Sequence, residues 1–178
     1  VARLFASSLV CTQPGEDAAG CGSCPACRKA AHGNHPDVLV VTRLPKKEKR
    51  ADTGVADGDE DDGEDAFASK GGELRPFIVV PQIRELKYHA AYAPREGRRR
   101  VFLVEPADRM NAESQNALLK TLEEPPGQAV IVLVASRPHV LLPTVRSRCF
   151  QIGFGAMPPD ELARELSARG IPSQEAHA

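Results

Sequence analysis

Residues 100–127, RVFLVEPADRMNAESQNALLKTLEEPPG, decide the fold of this chain. The apolar run at 101–104 is short and rich in β-branched residues, which predicts a strand that is buried on both faces. The run ends at an acid, Glu105. Asn111 is a favoured helix cap, and the residues after it place leucines on one helical face before Pro125 stops the helix. This stretch therefore predicts a strand, a turn and a helix.

The alternation of strands and helices continues on both sides of this stretch. Apolar runs at 38–41 and 130–135 predict two more buried strands, and residues 150–152 predict a short one. Apolar spacing predicts a helix over residues 2–10 and another that begins near Pro81. Such alternation predicts an α/β fold in three layers with a mostly parallel sheet. In the first helix, the side chains expected to face the core are Leu4, Phe5 and Leu9.

The composition limits the classes of function. The formal net charge of the 178 residues is −1, which gives no bulk attraction to nucleic acid or to membrane surfaces. Aromatic residues make up 4% of the chain and tryptophan is absent, which disfavours surfaces for base stacking. No apolar run approaches the ~18 residues that a membrane span needs, and no signal peptide is recognisable. These features predict a cytoplasmic protein.

Four cysteines separated by nine, two and two residues predict a metal site. They are Cys11, Cys21, Cys24 and Cys27. In a cytosolic setting this is metal-ligand spacing, and four thiolates match the tetrahedral all-sulfur site that zinc prefers. An iron–sulfur cluster and unbound thiols are the alternatives, although the ferredoxin spacing needs a further cysteine that residues 28–36 lack. A closed four-sulfur site has no open position, so we expect zinc to hold the module at 11–27 together.

Residues 43–75 differ in composition from the rest of the chain. Residues 43–50 are basic, and residues 52–65 are acidic and contain glycine. Runs of one charge sign with low hydrophobicity cannot offset the entropy lost on ordering, so these residues predict a flexible charged insertion. The acids do not fit a calcium loop, because the glycine and the closing glutamate of that motif are misplaced.

Two motifs give a resemblance to a known family. They are QNALLKTLEEPP at residues 115–126 and RSRC at residues 146–149. In this order they resemble the AAA+ clamp-loader subunits of bacterial DNA polymerase III, and the resemblance extends over nearly the whole chain. It implies an AAA+ P-loop-NTPase-like core at residues 1–155, with the zinc module on a loop after the first helix. It also implies that residues 156–178 begin a helical lid domain.

The residue after Glu105 bears on ATP hydrolysis. Hydrolysing members of the family end this strand in Asp-Glu, one carboxylate for magnesium and one for the attacking water, whereas this chain has Glu105-Pro106. Proline cannot act as a base, so the resemblance implies a catalytically silent site. The candidate nucleotide-binding residues of this site are Glu105 and Ser136. Ser136 follows the next predicted strand. The chain has no G-x-x-x-x-G-K-[ST] loop, and we expect the first strand and the phosphate loop upstream of Val1.

Arg148 is the candidate catalytic residue. The resemblance makes it an arginine finger, a guanidinium given to the ATP of a neighbouring subunit to stabilise charge on the transferring phosphoryl group. The alternative is an ion pair within this chain. The implied function is that of a non-hydrolysing, delta-prime type of subunit that helps load the sliding clamp onto primed DNA during replication. The implied partners are the gamma/tau and delta subunits, the clamp, and primed DNA through the complex.

Two other functions stay open. One is a gamma/tau-type subunit that hydrolyses ATP, which turnover of ATP by the isolated full-length protein would favour. The other is a zinc-dependent nucleic-acid-binding module, which salt-sensitive DNA binding without partner subunits would support. The acidic run at 52–65 argues against this second function.

Overall fold

A computed structural model describes residues 1–15, 19–45 and 74–168, with side chains described up to residue 165. Most of the predicted insertion (46–73) and the end of the predicted lid (169–178) lie outside the described residues. The helices are α1 (Ala2–Val10), α2 (Pro25–Ala31), α3 (Val80–Ala90), α4 (Ala112–Glu123), α5 (Pro143–Arg146) and α6 (Pro159–Ala168). The strands are β1 (Val38–Val41), β2 (Arg100–Val104) and β3 (Ala129–Leu133).

The three strands form one parallel sheet in the order β1-β2-β3. Val38 pairs with Val101 on one side of β2, and Val101 pairs with Val130 on the other. All five residues of the central strand β2 are buried, as a strand covered on both faces requires. The predicted α/β fold with a parallel sheet is therefore confirmed.

Side chains of β2 alternate between two cores, because successive residues of a strand point to opposite faces of the sheet. Phe102 and Val104 pack in a cluster with buried residues of α3 and α4. Val101 and Leu103 pack instead against the buried face of α1. Helices thus cover both faces of the sheet, which gives the three layers that the sequence predicts.

Helix α4 begins as predicted. The side-chain oxygen of Asn111 accepts the backbone N–H of Ser114 at 2.8 Å and satisfies one of the free donors of the first turn. Leu118 is fully buried on the inner face of the helix. The same face also carries Gln115, a buried polar residue whose Oε1 accepts the N–H of Leu142 at 2.7 Å. Helix α4 therefore fixes the chain immediately before α5.

Two local predictions are wrong. In α1, Leu4 is 75% exposed and Phe5 is 48% exposed, and the small residue Ala6 faces the sheet instead, whereas Leu9 packs against this core as predicted. Residues 150–152 form no strand, and Phe150 is 92% exposed. A strand needs a neighbour for its backbone hydrogen bonds, and in the described part of the chain no strand lies beside this segment.

Strand β3 lies at one end of the sheet, and each of its five residues is only partly buried. Its sequence, AVIVL, is as apolar as that of a strand covered on all sides. Among the described residues, β2 is the single strand that pairs with it. Within the same residues, no helix is both long and apolar enough to cross a membrane.

Candidate functional site

The four predicted cysteine ligands meet between the first two helices. Cys11 follows the last residue of α1, Cys24 caps the start of α2, and Cys27 lies in the first turn of α2. The sulfur atoms of these three residues and of Cys21 all lie within 4.8 Å of one another. The Sγ atom of Cys11 is 3.7 Å from that of Cys21 and 3.9 Å from that of Cys24. Sulfurs bonded at about 2.3 Å to a tetrahedral zinc ion are about 3.8 Å apart, so the cluster can hold a metal ion of this kind.

Backbone N–H groups donate to these sulfur atoms. The N–H of Cys24 donates to Sγ of Cys21, and the N–H of Cys27 donates to Sγ of Cys24, each at 3.3 Å. These donors favour thiolates: the N–H of Cys27 helps lower the pKa of Cys24 to about 5, and the N–H of Cys24 lowers the pKa of Cys21. Burial raises the pKa of Cys27 to about 11. A metal ion bound here would displace the proton of Cys27.

The cluster is closed on most sides. Cys11, Cys24 and Cys27 are buried and pack together with Ala26, whereas Cys21 is exposed. Residues 16–18 of the connecting loop lie outside the described residues. Four sulfur ligands fill a tetrahedral shell, so the arrangement fits a metal that ties α1 to α2 and leaves no position for a substrate.

A buried carboxylate fixes the basic turn that precedes β2. Asp37 is 0% exposed, and its side chain accepts backbone N–H bonds of 2.7 Å from Arg95, Glu96 and Gly97. Burial opposes ionisation of Asp37, but the three donors outweigh it and hold its pKa below the usual range. His35 is also buried, and its Nδ1 accepts the N–H of Asp37 at 3.0 Å. These contacts make both side chains part of the packing beneath the turn.

The two candidate nucleotide-binding residues lie at the same edge of the sheet. Strands β2 and β3 are parallel and Val104 pairs with Leu133, so Glu105 and Ser136 both follow the carboxyl ends of neighbouring strands. Glu105 forms an ion pair with Arg3 on α1, with 3.8 Å between Oε2 and Nη2. Ser136 is exposed. The predicted site residues are thus brought to one edge, and Glu105 has a cationic partner there.

Asp108 is the next acid along the chain after Glu105, and it pairs with an arginine. It lies in a short 3-10 turn, Ala107–Arg109, and is 7% exposed. Its Oδ2 accepts a hydrogen bond from Nε of Arg137 at 3.3 Å. Among the described residues its Oδ1 atom is buried and has no partner. Because Asp108 is buried and paired, it is poorly placed to activate a water molecule.

Arg148 follows α5 and is held by residues of this chain. Its Nε donates to Oε1 of Glu123 at 2.7 Å, and Nη2 contacts the same oxygen. Its Nη1 donates to the backbone oxygen of Thr144 at 2.9 Å. The ion pair joins the last residue of α4 to the loop after α5. Glu123 could not be predicted as the partner of Arg148, because no local pattern signals a pair of side chains that are 25 residues apart.

Comparisons with known proteins identify relatives of the chain. The model for the family described as DNA polymerase III, delta subunit, matches residues 1–158. The chain is 34% identical over 178 residues to the DNA polymerase III subunit delta' of Pseudomonas aeruginosa, and the alignment covers 100% of this chain and 45% of that protein. It is 36% identical over 168 residues to the gamma/tau subunit of Mycobacterium tuberculosis, which covers 94% of this chain and 24% of that protein.

A solved structure is also similar, namely a DNA polymerase III gamma subunit-related protein of Thermotoga maritima. The identity is 38% and the TM-score is 0.47, with 51% of this chain and 31% of that chain covered. The chain spans less than half the length of the curated relatives named above.

The matches to delta' and gamma/tau subunits assign the chain to one class of protein, the clamp-loader subunits of DNA polymerase III. Because the family model matches most of its length, the chain belongs to the DNA polymerase III delta-subunit family. A second delta' subunit, from Bacillus subtilis, is 29% identical over 170 residues and covers 96% of this chain and 42% of that protein. The resemblance to clamp-loader subunits of the delta-prime type is confirmed.

Proposed function

We propose that this chain is part of a delta-prime-type clamp-loader subunit that does not hydrolyse ATP itself. The observation that carries this proposal is the end of β2, where Pro106 follows Glu105. ATP hydrolysis requires a group that orients and deprotonates the attacking water, and proline offers none. Two contacts support the proposal, since Glu105 pairs with Arg3 and the buried Asp108 pairs with Arg137.

In this proposal Arg148 acts on the ATP of a neighbouring subunit. A planar guanidinium stabilises charge that spreads over the oxygens of a transferring phosphoryl group. The side chain of Arg148 is 33% exposed, which leaves part of it accessible to a partner. The partners would be the gamma/tau and delta subunits, and the assembled complex would open the sliding clamp and place it on primed DNA in the cytoplasm. Glu105 and Ser136 would mark a degenerate nucleotide site.

The test uses the full-length protein, alone and in a clamp loader reconstituted with its partner subunits. We expect no ATP turnover by the isolated protein. In the complex, Arg148→Ala should lower hydrolysis at the ATP site that it faces by about 10³-fold. Arg98→Ala, which removes an exposed arginine from the turn before β2, is the matched control and should leave the rate unchanged. Full activity of the Arg148→Ala complex would disprove the arginine-finger role.

The four cysteines are proposed to bind one structural zinc ion. Their sulfur spacing supports a tetrahedral site, and thiolate ligands suit zinc well. Bound zinc would neutralise the thiolates and brace the loop between α1 and α2. Metal analysis of the full-length protein, purified without added metal, should give one zinc per chain. Iron and acid-labile sulfide in the purified protein, together with a visible absorption band, would show that the cysteines bind an iron–sulfur cluster and not zinc.

An ATP-hydrolysing gamma/tau-type subunit is the second candidate. The 36% identity to a gamma/tau subunit favours it, whereas the family model and the 34% identity to a delta' subunit over the whole chain favour the first candidate. If the isolated full-length protein hydrolyses ATP, and if Glu105→Gln abolishes that turnover, the second candidate is correct. A Glu105→Gln protein with unchanged turnover would instead indicate a contaminating ATPase.

A further inference from the structure

Helix α4 contacts the segment around α5 at both of its ends. Before α5, the N–H of Leu142 donates to the buried side chain of Gln115 at 2.7 Å. After α5, Nε of Arg148 donates to Glu123 at 2.7 Å. The segment that carries Arg148 is therefore attached to one rigid helix at two points, about two helical turns apart.

The guanidinium of Arg148 is held by two separate elements. Glu123, the last residue of α4, accepts from Nε and contacts Nη2 with a single oxygen, Oε1. The backbone oxygen of Thr144 on α5 accepts from Nη1 at 2.9 Å. Acceptors on two elements fix the plane of the group as well as its position, because the N–H donors of arginine have a rigid planar geometry.

The pair remains partly open to the outside. The side chain of Arg148 is 33% exposed and that of Glu123 is 48% exposed. An ion pair at this exposure adds little to stability, since water screens it and both side chains lose freedom. An effect on the orientation of Arg148 is therefore easier to measure than an effect on folding.

We propose that Glu123 is a positioning residue that holds the guanidinium of Arg148 in the orientation needed for catalysis on the neighbouring subunit's ATP. This inference rests on the proposed function of Arg148. With the plane already fixed by Glu123 and Thr144, less conformational freedom is lost when the phosphoryl group is engaged. Glu123 itself would touch neither the nucleotide nor the reacting atoms.

The test measures ATP hydrolysis by the reconstituted clamp loader with variants of the full-length protein. Glu123→Ala should lower kcat at the site that faces Arg148 by about 10-fold and leave KM for ATP within about twofold, because orientation matters in the transition state. Glu123→Gln keeps an acceptor oxygen without the charge, and its rate should lie between those of the wild type and Glu123→Ala. Glu124→Ala changes the exposed acid next in the chain and should have no effect.

A double-mutant cycle separates positioning from a structural role. In an Arg148→Ala background, Glu123→Ala should cause no further loss, whereas general damage to α4 would lower the rate again. If Arg148→Ala impairs hydrolysis but Glu123→Ala leaves it at or above the wild-type rate, this inference fails and the proposed function stands. If Arg148→Ala has no effect, both fail. Unfolding curves of each variant show whether it is folded, and Glu123→Gln tests the proposal if Glu123→Ala is not.

Discussion

Replacing Asp37 should destabilise this chain more than any change to its surface ion pairs. The Asp37 carboxylate is fully buried and accepts three backbone N–H bonds of 2.7 Å from residues 95–97. Hydrogen bonds to a charged group contribute about 1.5–3 kcal/mol each, and a buried donor left without a partner costs about 1–3 kcal/mol. Water can hydrogen-bond to the freed N–H groups of the exposed Arg95 and Glu96 and offset part of this loss, but it can do so less at the half-buried Gly97.

We therefore expect Asp37→Ala to lower the free energy of unfolding by about 3–5 kcal/mol. Asp37→Asn keeps one oxygen in place and should cost about 2 kcal/mol. With an m-value of about 2 kcal/mol/M, the alanine variant should shift the urea midpoint by about 2 M. Glu96→Ala is the control, because it keeps the backbone donor and removes only an exposed ion pair with Lys29, which contributes less than about 1 kcal/mol.

The measurement is urea unfolding of the full-length protein followed by circular dichroism, with the m-value checked for constancy. A loss of less than about 1 kcal/mol in Asp37→Ala would refute the reasoning, since that value is typical of an exposed ion pair. It would mean that water replaces all three hydrogen bonds without cost.

Three further predictions concern pH, metal and cysteine reactivity. Burial lowers the pKa of His35 in the folded chain, so the unfolded chain binds protons more readily and stability should fall as pH drops below about 6.5. Stability should fall again below about 4, because the pKa of Asp37 is lowered by folding and the unfolded chain takes up the proton first. Urea midpoints measured across this pH range test both steps. His35→Gln should remove the first step. Chelation of the proposed metal should lower the melting temperature, followed by circular dichroism, by about 5 °C or more. In the metal-free protein we expect Cys21 to be alkylated before Cys149, because Cys21 is exposed with a lowered pKa and burial raises the pKa of Cys149. Mass spectrometry measures the two rates, and equal rates would contradict this order.

Features with a local sequence signal could be predicted well. The strand β2 and the cap at Asn111 follow from residue types and spacing within a few positions. The four cysteines could be predicted as a group, because short gaps with glycine and proline let the chain turn back on itself. In each case the physical cause lies within about 20 residues of sequence.

Features that depend on distant partners could not be predicted. The bonds that Asp37 accepts from residues 95–97, and the bond that Arg148 donates to Glu123, join segments that only the folded sheet and helices bring together. Exposure of Leu4 and Phe5 reflects which face of α1 meets the sheet, and a short helix with apolar residues on several sides leaves that choice open. Residues 150–152 have strand-forming side chains but find no neighbour in the described part of the chain.

One hydrogen bond has a consequence for how the length of this chain can vary. The oxygen of Leu44 accepts the N–H of Arg75 at 2.7 Å, and Pro45 bridges to Leu74. Residues 44–45 and 74–75 therefore lie side by side. The entropy lost when two points of a flexible chain are brought together grows only with the logarithm of the number of residues between them, so adding or removing residues between Pro45 and Leu74 should cost little stability. Evolution, or an engineer inserting a tag, can change the size of the protein here without shifting the register of β1 or the start of α3.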